Sequence, residues 1–252
     1  MENIVKYPFE TFALAFVVLW LAGWIGAKLS ARTRHYGDEE LRPDYSVVLG
    51  ATLTLLGLII GFSFSMAISR YDQRKIYEEA EANAIGTEYV RTDLLPQADA
   101  ERVRELLKRY TDLRIQFYMT RNQEELRQID ADTARVQSEL WNAASRPSMA
   151  QPNQVVALAV AGMNDVLNSQ GYTQAAWWNR IPGAAWALMF VIAIFCNGLL
   201  GYEARRFELK LFTVLPLVIA ISFFLIADID SPRRGTIRVH PQNLESLRAS
   251  LK

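Results

Sequence analysis

Residues 45–71 read YSVVLGATLTLLGLIIGFSFSMAISRY, and the reading of this stretch decides the fold. No charge interrupts it before Arg70, so it is long enough and apolar enough to cross a bilayer as a helix. Gly50, Thr54, Gly57, Gly61 and Ser65 are spaced by four, three, four and four, which stacks them on one helical face. Small residues on one face let a second helix approach closely in lipid, where burying apolar area gives no net drive. Beyond Arg70 the chain turns strongly polar without a helix breaker. A packed membrane helix therefore runs directly into a charged one.

Working outward, three more uncharged runs appear: Thr11–Ala27, Ile181–Tyr202 and Leu211–Ala227. With Tyr45–Ser69 they make four candidate spans. The 252 residues carry 27 basic and 27 acidic side chains, so no global basic field points to nucleic acid. The mean hydropathy near zero hides two populations: the ends are apolar and the middle is charged. Trp20, Trp24, Trp177, Trp178 and Trp186 lie near predicted span ends and read as interfacial anchors. The leader MENIVKYPFE has two acids against one lysine and no clear cleavage site follows, so the first span does not read as a signal peptide.

The expected architecture is all-α. A first membrane pair covers 1–71, a helical extramembrane domain 72–180, a second membrane pair 181–230 and a tail 231–252. In the domain, the second span continues until Pro96. A helix then buries Val103, Leu106, Leu107, Tyr110 and Leu113. A third runs over roughly Glu124–Ala144 and a break spans Pro147–Pro152. A last helix starts at Pro152 and ends at Gly171. Four crossings place both termini and this domain on one side. Charges around the first span and at Arg205 and Arg206 oppose those at Arg70, Arg74, Lys75, Arg233, Arg234 and Arg238, so the positive-inside rule does not decide sidedness.

No nucleophile elbow, phosphate-cradling loop or paired histidines at metal spacing occurs, and Cys196 is the only cysteine. Neither an enzyme, a cofactor nor a metal is expected. The spans hold no Asp, Glu, Lys, Arg or His, which weighs against ion-coupled transport but leaves room for a passive pore gated by an apolar constriction. Thr54, Leu58 and Phe62 lie at i, i+4 and i+8, forming a stripe beside the glycine face. Two readings stay open: the stripe packs on another helix of the same chain, or copies of this helix surround an axis with the stripe inward.

The stretch GFSFSMAISRY resembles the bestrophin anion channels. In these a Gly-Phe pair on the second membrane helix is followed, after seven intervening residues, by an arginine and an aromatic. Here these are Gly61, Phe62, Arg70 and Tyr71. The blocks LLGLIIGFSFSMAISRYDQRK, EANAIGTEYVRTDLLP and DIDSPRRGTIRV are similar to a bacterial bestrophin-like domain family over nearly the whole chain. The resemblance implies a homopentamer in a bacterial inner membrane, with termini and helical domain in the cytoplasm and small anions as the permeant species. It implies a neck of three rings at Phe62, Leu58 and Thr54. Thr54 departs from the aliphatic residue usual there.

Below the neck, Asn83 and Thr87 offer uncharged donors for a vestibule, and Arg91 either attracts anions or pairs with Glu88 or Asp93. Ala80, Asn83, Ala84, Thr87 and Arg91 are compatible with one face. DIDSPRRG reads as a stop: Pro232 ends the helix, Gly235 turns, and Arg233 and Arg234 meet lipid headgroups. Asp228 or Asp230 alternatively pairs with Arg70 or Arg74, or contributes to a calcium clasp of the animal bestrophin kind. The competing function is a non-conducting scaffold or sensor whose helical domain binds a protein partner.

Overall fold

The computed structural model describes residues 7–33, 42–150, 153–204 and 209–251. Of the charges weighed for sidedness, Lys6, Arg34, Arg205 and Arg206 lie outside them, as does the expected helix start at Pro152. The described residues form α1 (Pro8–Thr33), α2 (Arg42–Arg91), a 3-10 turn (Thr92–Leu94), α3 (Gln97–Met119), α4 (Gln123–Ala150), α5 (Gln154–Trp178), α6 (Gly183–Glu203), α7 (Leu209–Asp230) and α8 (Gln242–Ser250), with no strand among them. Four helical stretches are long and apolar enough to cross a membrane: α1, the first half of α2, α6 and α7. This is an all-α, multi-pass membrane protein.

Two compact units divide the chain within α2. The first takes residues up to Arg70 and Arg180–Arg238. Its centre is α1 laid against α6. A methyl group at Gly26 would overlap the Gly198 carbonyl and stand 3.0 Å from the Tyr202 nitrogen, and one at Gly201 would overlap the Gly23 carbonyl. Only glycine permits backbones this close. Below the crossing, Trp186 is buried edge-on to Phe223 (6.0 Å between centroids), which also meets Phe190 at 4.9 Å. Asn197 is buried and donates to the Ala193 carbonyl at 2.8 Å, so its amide is satisfied inside its own helix.

The second unit holds Tyr71–Asn179 and Val239–Lys252. Val103, Leu106, Leu107, Tyr110 and Leu113 are all buried in it, as their spacing predicts. Buried Glu81 accepts from Arg114, from Thr173 Oγ1 (3.2 Å) and from Tyr118 (3.5 Å). Arg114 lies over the Phe117 ring at 4.3 Å. Burial first, and Glu81 second, push the Tyr118 phenol far above its ordinary range. The ion pair is thus dry and surrounded by donors, the condition under which a buried charge persists.

The structure corrects several boundaries. α4 runs through Pro147 to Ala150 instead of breaking there. A proline in the last turn removes one hydrogen bond but meets no following helix to disrupt. α5 passes Gly171, which is exposed and helical, and continues to Trp178. It begins at Asn153, whose side chain accepts from the Val155 N–H at 2.9 Å. Of the five expected interfacial tryptophans, Trp186 and Trp177 are core residues instead. Trp177 packs on Phe117 at 4.9 Å and on Tyr118 at 5.4 Å. The tail contains α8, which the sequence reading lacked. Glu78 accepts the first free N–H groups of α8, from Asn243 and Leu244 at 3.0 Å each, and the Asn243 amide at 2.6 Å. Arg248 pairs with Asp112 at 2.6 Å.

Candidate functional site

The membrane half of α2 has two unlike faces. Leu49, Leu56, Ser63 and Ala67 are buried within the first unit and recur at seven, seven and four. This is the side that holds α2 to its own chain. Thr54, Leu58 and Phe62 lie on the other side and are exposed, Leu58 at 54% and Phe62 at 65%. Gly50, Gly57, Gly61 and Ser65 are exposed too. A methyl group added to any of these three glycines would meet nothing within 4 Å. The Thr54 hydroxyl donates to the Gly50 carbonyl at 2.9 Å, which leaves mainly its methyl and oxygen lone pairs to face outward. The stripe and the small-residue face are therefore free of the rest of this chain.

In the second unit, Asn83 and Thr87 open on a cleft of about 460 Å³. Ala82, Gly86 and Val90 of α2 and Asn243, Ser246 and Leu247 of α8 complete it. Two of the three expected vestibule residues thus share one polar surface, and the tail helix supplies its other wall. Arg91 is not part of that cleft. Its side chain lies against Gly162 of α5, beside Glu88. Asp93 takes Arg104 as its partner. Glu88 is 0% exposed and neither carboxyl oxygen has a hydrogen-bond partner. Burial pushes its pKa up to about 8, against the pull of Arg91 and with a further push from Asp165. Sequence alone did not mark Glu88 as buried, because a carboxylate on a helix rich in charge reads as part of a solvated face.

At the end of the first unit, Asp230 accepts from the Ile181 N–H at 3.2 Å, and Arg70 Nη1 stands 3.8 Å away. Arg74 belongs to the other unit, where it is buried and donates to the Ala176 carbonyl at 3.4 Å. Asp228 accepts the Thr236 N–H (2.7 Å), the Thr236 hydroxyl (2.9 Å) and the Ile237 N–H (2.8 Å). A side chain at Gly235 would overlap the Asp228 carbonyl. Asp228 therefore locks the turn after α7, in keeping with the stop reading of DIDSPRRG. Among the described residues no three His, Cys, Asp or Glu side chains converge as a metal site would require.

Comparison with known proteins gives one consistent picture. The sequence profile of the Bestrophin-like domain matches residues 13–244. No curated protein matches significantly. The fold is similar to the crystal structure of a bacterial Bestrophin homolog from Klebsiella pneumoniae, with a TM-score of 0.64 at 13% identity over 95% of this chain and 96% of that one. A point variant of a Klebsiella pneumoniae Bestrophin homolog gives 0.63 at 16% identity, over 94% and 96%.

Proposed function

Since this chain belongs to the bestrophin-like family, we propose that it assembles as a homopentamer and conducts small anions through a pore lined by α2. The observation that carries this reading is the outward face of α2. Three glycines meet no atom of their own chain, yet glycine costs about 1 kcal/mol relative to alanine in a helix. Close approach of another helix is the use that offsets that cost in lipid. A ring of α2 copies supplies such an approach and turns Thr54, Leu58 and Phe62 toward a common axis.

In this arrangement no residue performs chemistry. Leu58 and Phe62 form an apolar neck with no dipole to replace lost water. Large, weakly hydrated anions shed part of their shell there at least cost, and a narrow apolar ring closes by dewetting. Thr54 makes the mouth of the neck more polar than its apolar rings. Asn83 and Thr87 then offer uncharged hydrogen-bond groups in the vestibule. Arg91 is left out of the ion path by its position against α5. The helical unit and both termini are assigned to the cytoplasm and the spans to the bacterial inner membrane.

Replacing Leu58 and Phe62 together by alanine widens the neck. The double variant is expected to raise single-channel conductance severalfold in planar bilayers and to weaken selectivity among anions. Unchanged current and selectivity would remove the neck. A protein that carries no current in either form is instead a scaffold whose helical unit binds a protein partner.

A further inference from the structure

Glu88 follows Thr87 on α2 but takes no part in the Asn83–Thr87 cleft; it is wholly buried against α5. A methyl group at Gly162 would overlap both the Glu88 carboxyl and the Arg91 guanidinium. The two groups therefore share the space that a side chain on α5 would fill. Glu88 and Arg91 are three apart on α2, which makes them neighbours on one face. They are close and yet not engaged, since neither Glu88 oxygen has a hydrogen-bond partner. The backbone opposite them cannot supply one, because Gly162 lies inside α5 with its N–H and C=O spent within the helix.

A carboxyl buried in this way either keeps a proton or must acquire a donor, because the bare charge is far costlier to bury than the neutral acid. Burial dominates and pushes the group up to about 8. Arg91 on its own helix pulls the other way, and Asp165, exposed one turn further along α5, adds to the push. The remaining charges nearby along the chain are committed elsewhere. Asp93 of the 3-10 turn is paired with Arg104 of α3, and Glu81, two turns back on α2, with Arg114.

We propose that Glu88 is a proton-operated clasp between α2 and α5. Protonated, it seats in the notch at Gly162 and holds the two helices together. When its O–H bond breaks and the proton passes to water, the carboxylate takes the Arg91 guanidinium beside it in charge-assisted hydrogen bonds. Arg91 is half-buried and reaches the wet edge of α2, while Asp165 disfavours a second negative charge against α5. The pair therefore closes toward solvent, the carboxyl leaves the notch, and α5 loosens at Gly162. The helical unit thereby responds to the pH on its own side of the membrane, whether or not α2 lines a pore.

Infrared difference spectroscopy and amide hydrogen exchange on the full chain in nanodiscs test the clasp together. Wild type is expected to show the C=O stretch of a protonated buried acid at neutral pH, lost as pH rises through about 8 and missing from Glu88→Gln. Above that point the α5 amides around Gly162 should lose protection by about tenfold per pH unit, beyond the intrinsic rise in exchange. Glu88→Gln should keep them protected at every pH. Arg91→Gln removes the donor that draws the carboxyl out, so both transitions should move together to higher pH. Should Glu88→Gln fail to fold, this shift decides by itself, and its absence counts against the clasp. An acid band that titrates near the ordinary glutamate value of roughly 4.3 overturns the proposal. A titration near pH 8 that α5 does not follow, or a loss of α5 protection that Glu88→Gln leaves unchanged, overturns it equally.

Discussion

Gly201 and Gly57 look alike in the sequence, and the structure uses them in opposite ways. Gly201 and Gly26 sit where α1 and α6 cross, and a methyl at either would overlap a carbonyl of the other helix. Gly57, with Gly50 and Gly61, faces away from its chain and meets nothing. The lesson is that small residues at helical spacing report a close approach without reporting whose helix approaches. Inside this chain that approach is α1 on α6; on α2 the approach, if made, is made by another molecule.

The same substitution should therefore have opposite signs at the two places. The largest effect is expected for Gly201→Ala, since its new methyl meets backbone that cannot swing aside. Overpacking of this kind costs about 3 kcal/mol, read as a fall in unfolding temperature in detergent. A loss below about 1 kcal/mol would mean that the α1–α6 crossing is looser than the geometry states. Gly57→Leu comes next. It should leave the unfolding of the single chain nearly unchanged but shift the purified particle from oligomer to monomer on light scattering. An oligomer that survives the leucine would show that α2 faces lipid and not another copy.

An intermediate effect sharpens the comparison at Gly162, where the occupant of the glycine's space is the Glu88 carboxyl. The folded protein holds this group up to about 8, far above an ordinary carboxylate of roughly 4.3. A raised folded pKa means that the native state keeps the proton over that interval. The resulting stability is full below the unfolded value and is lost as pH rises through the folded one. Unfolding temperature should thus decline between about pH 5 and pH 8 by a slope that Glu88→Gln removes. A variant whose curve runs parallel to wild type contradicts the assignment. The smallest effect is Gly57→Ala, which should stabilise the isolated chain by up to about 1 kcal/mol through helix propensity alone.

Span number, helix type and the helical core were legible because they depend on local pattern. An uncharged run such as 45–69 can only be satisfied in lipid as a helix, and the Val103–Leu113 stripe reads directly as a buried face. Features set by distant partners were not legible. The α1–α6 lock joins Gly23 and Gly26 to Gly198 and Gly201, each pair visible only as two glycines three apart. α8 owes its N-terminal satisfaction to Glu78, far away in the chain. Pro147 and Gly171 read as punctuation, yet both helices run past them, α5 with Thr173, Ala176 and Trp177 buried beyond its glycine. At the site, the outward stripe of α2 was readable as a stripe. Its freedom from the rest of the chain, and the turning of Arg91 from the Asn83–Thr87 cleft toward α5, required coordinates.

The central claim is that copies of the Tyr45–Ser69 segment surround a shared axis. Imaging of the detergent-solubilised particle by single-particle electron microscopy tests it most directly. The account predicts a five-fold ring with α2 innermost and Phe62 facing the axis. A monomer, or an assembly in which α2 lies away from the symmetry axis, would contradict it.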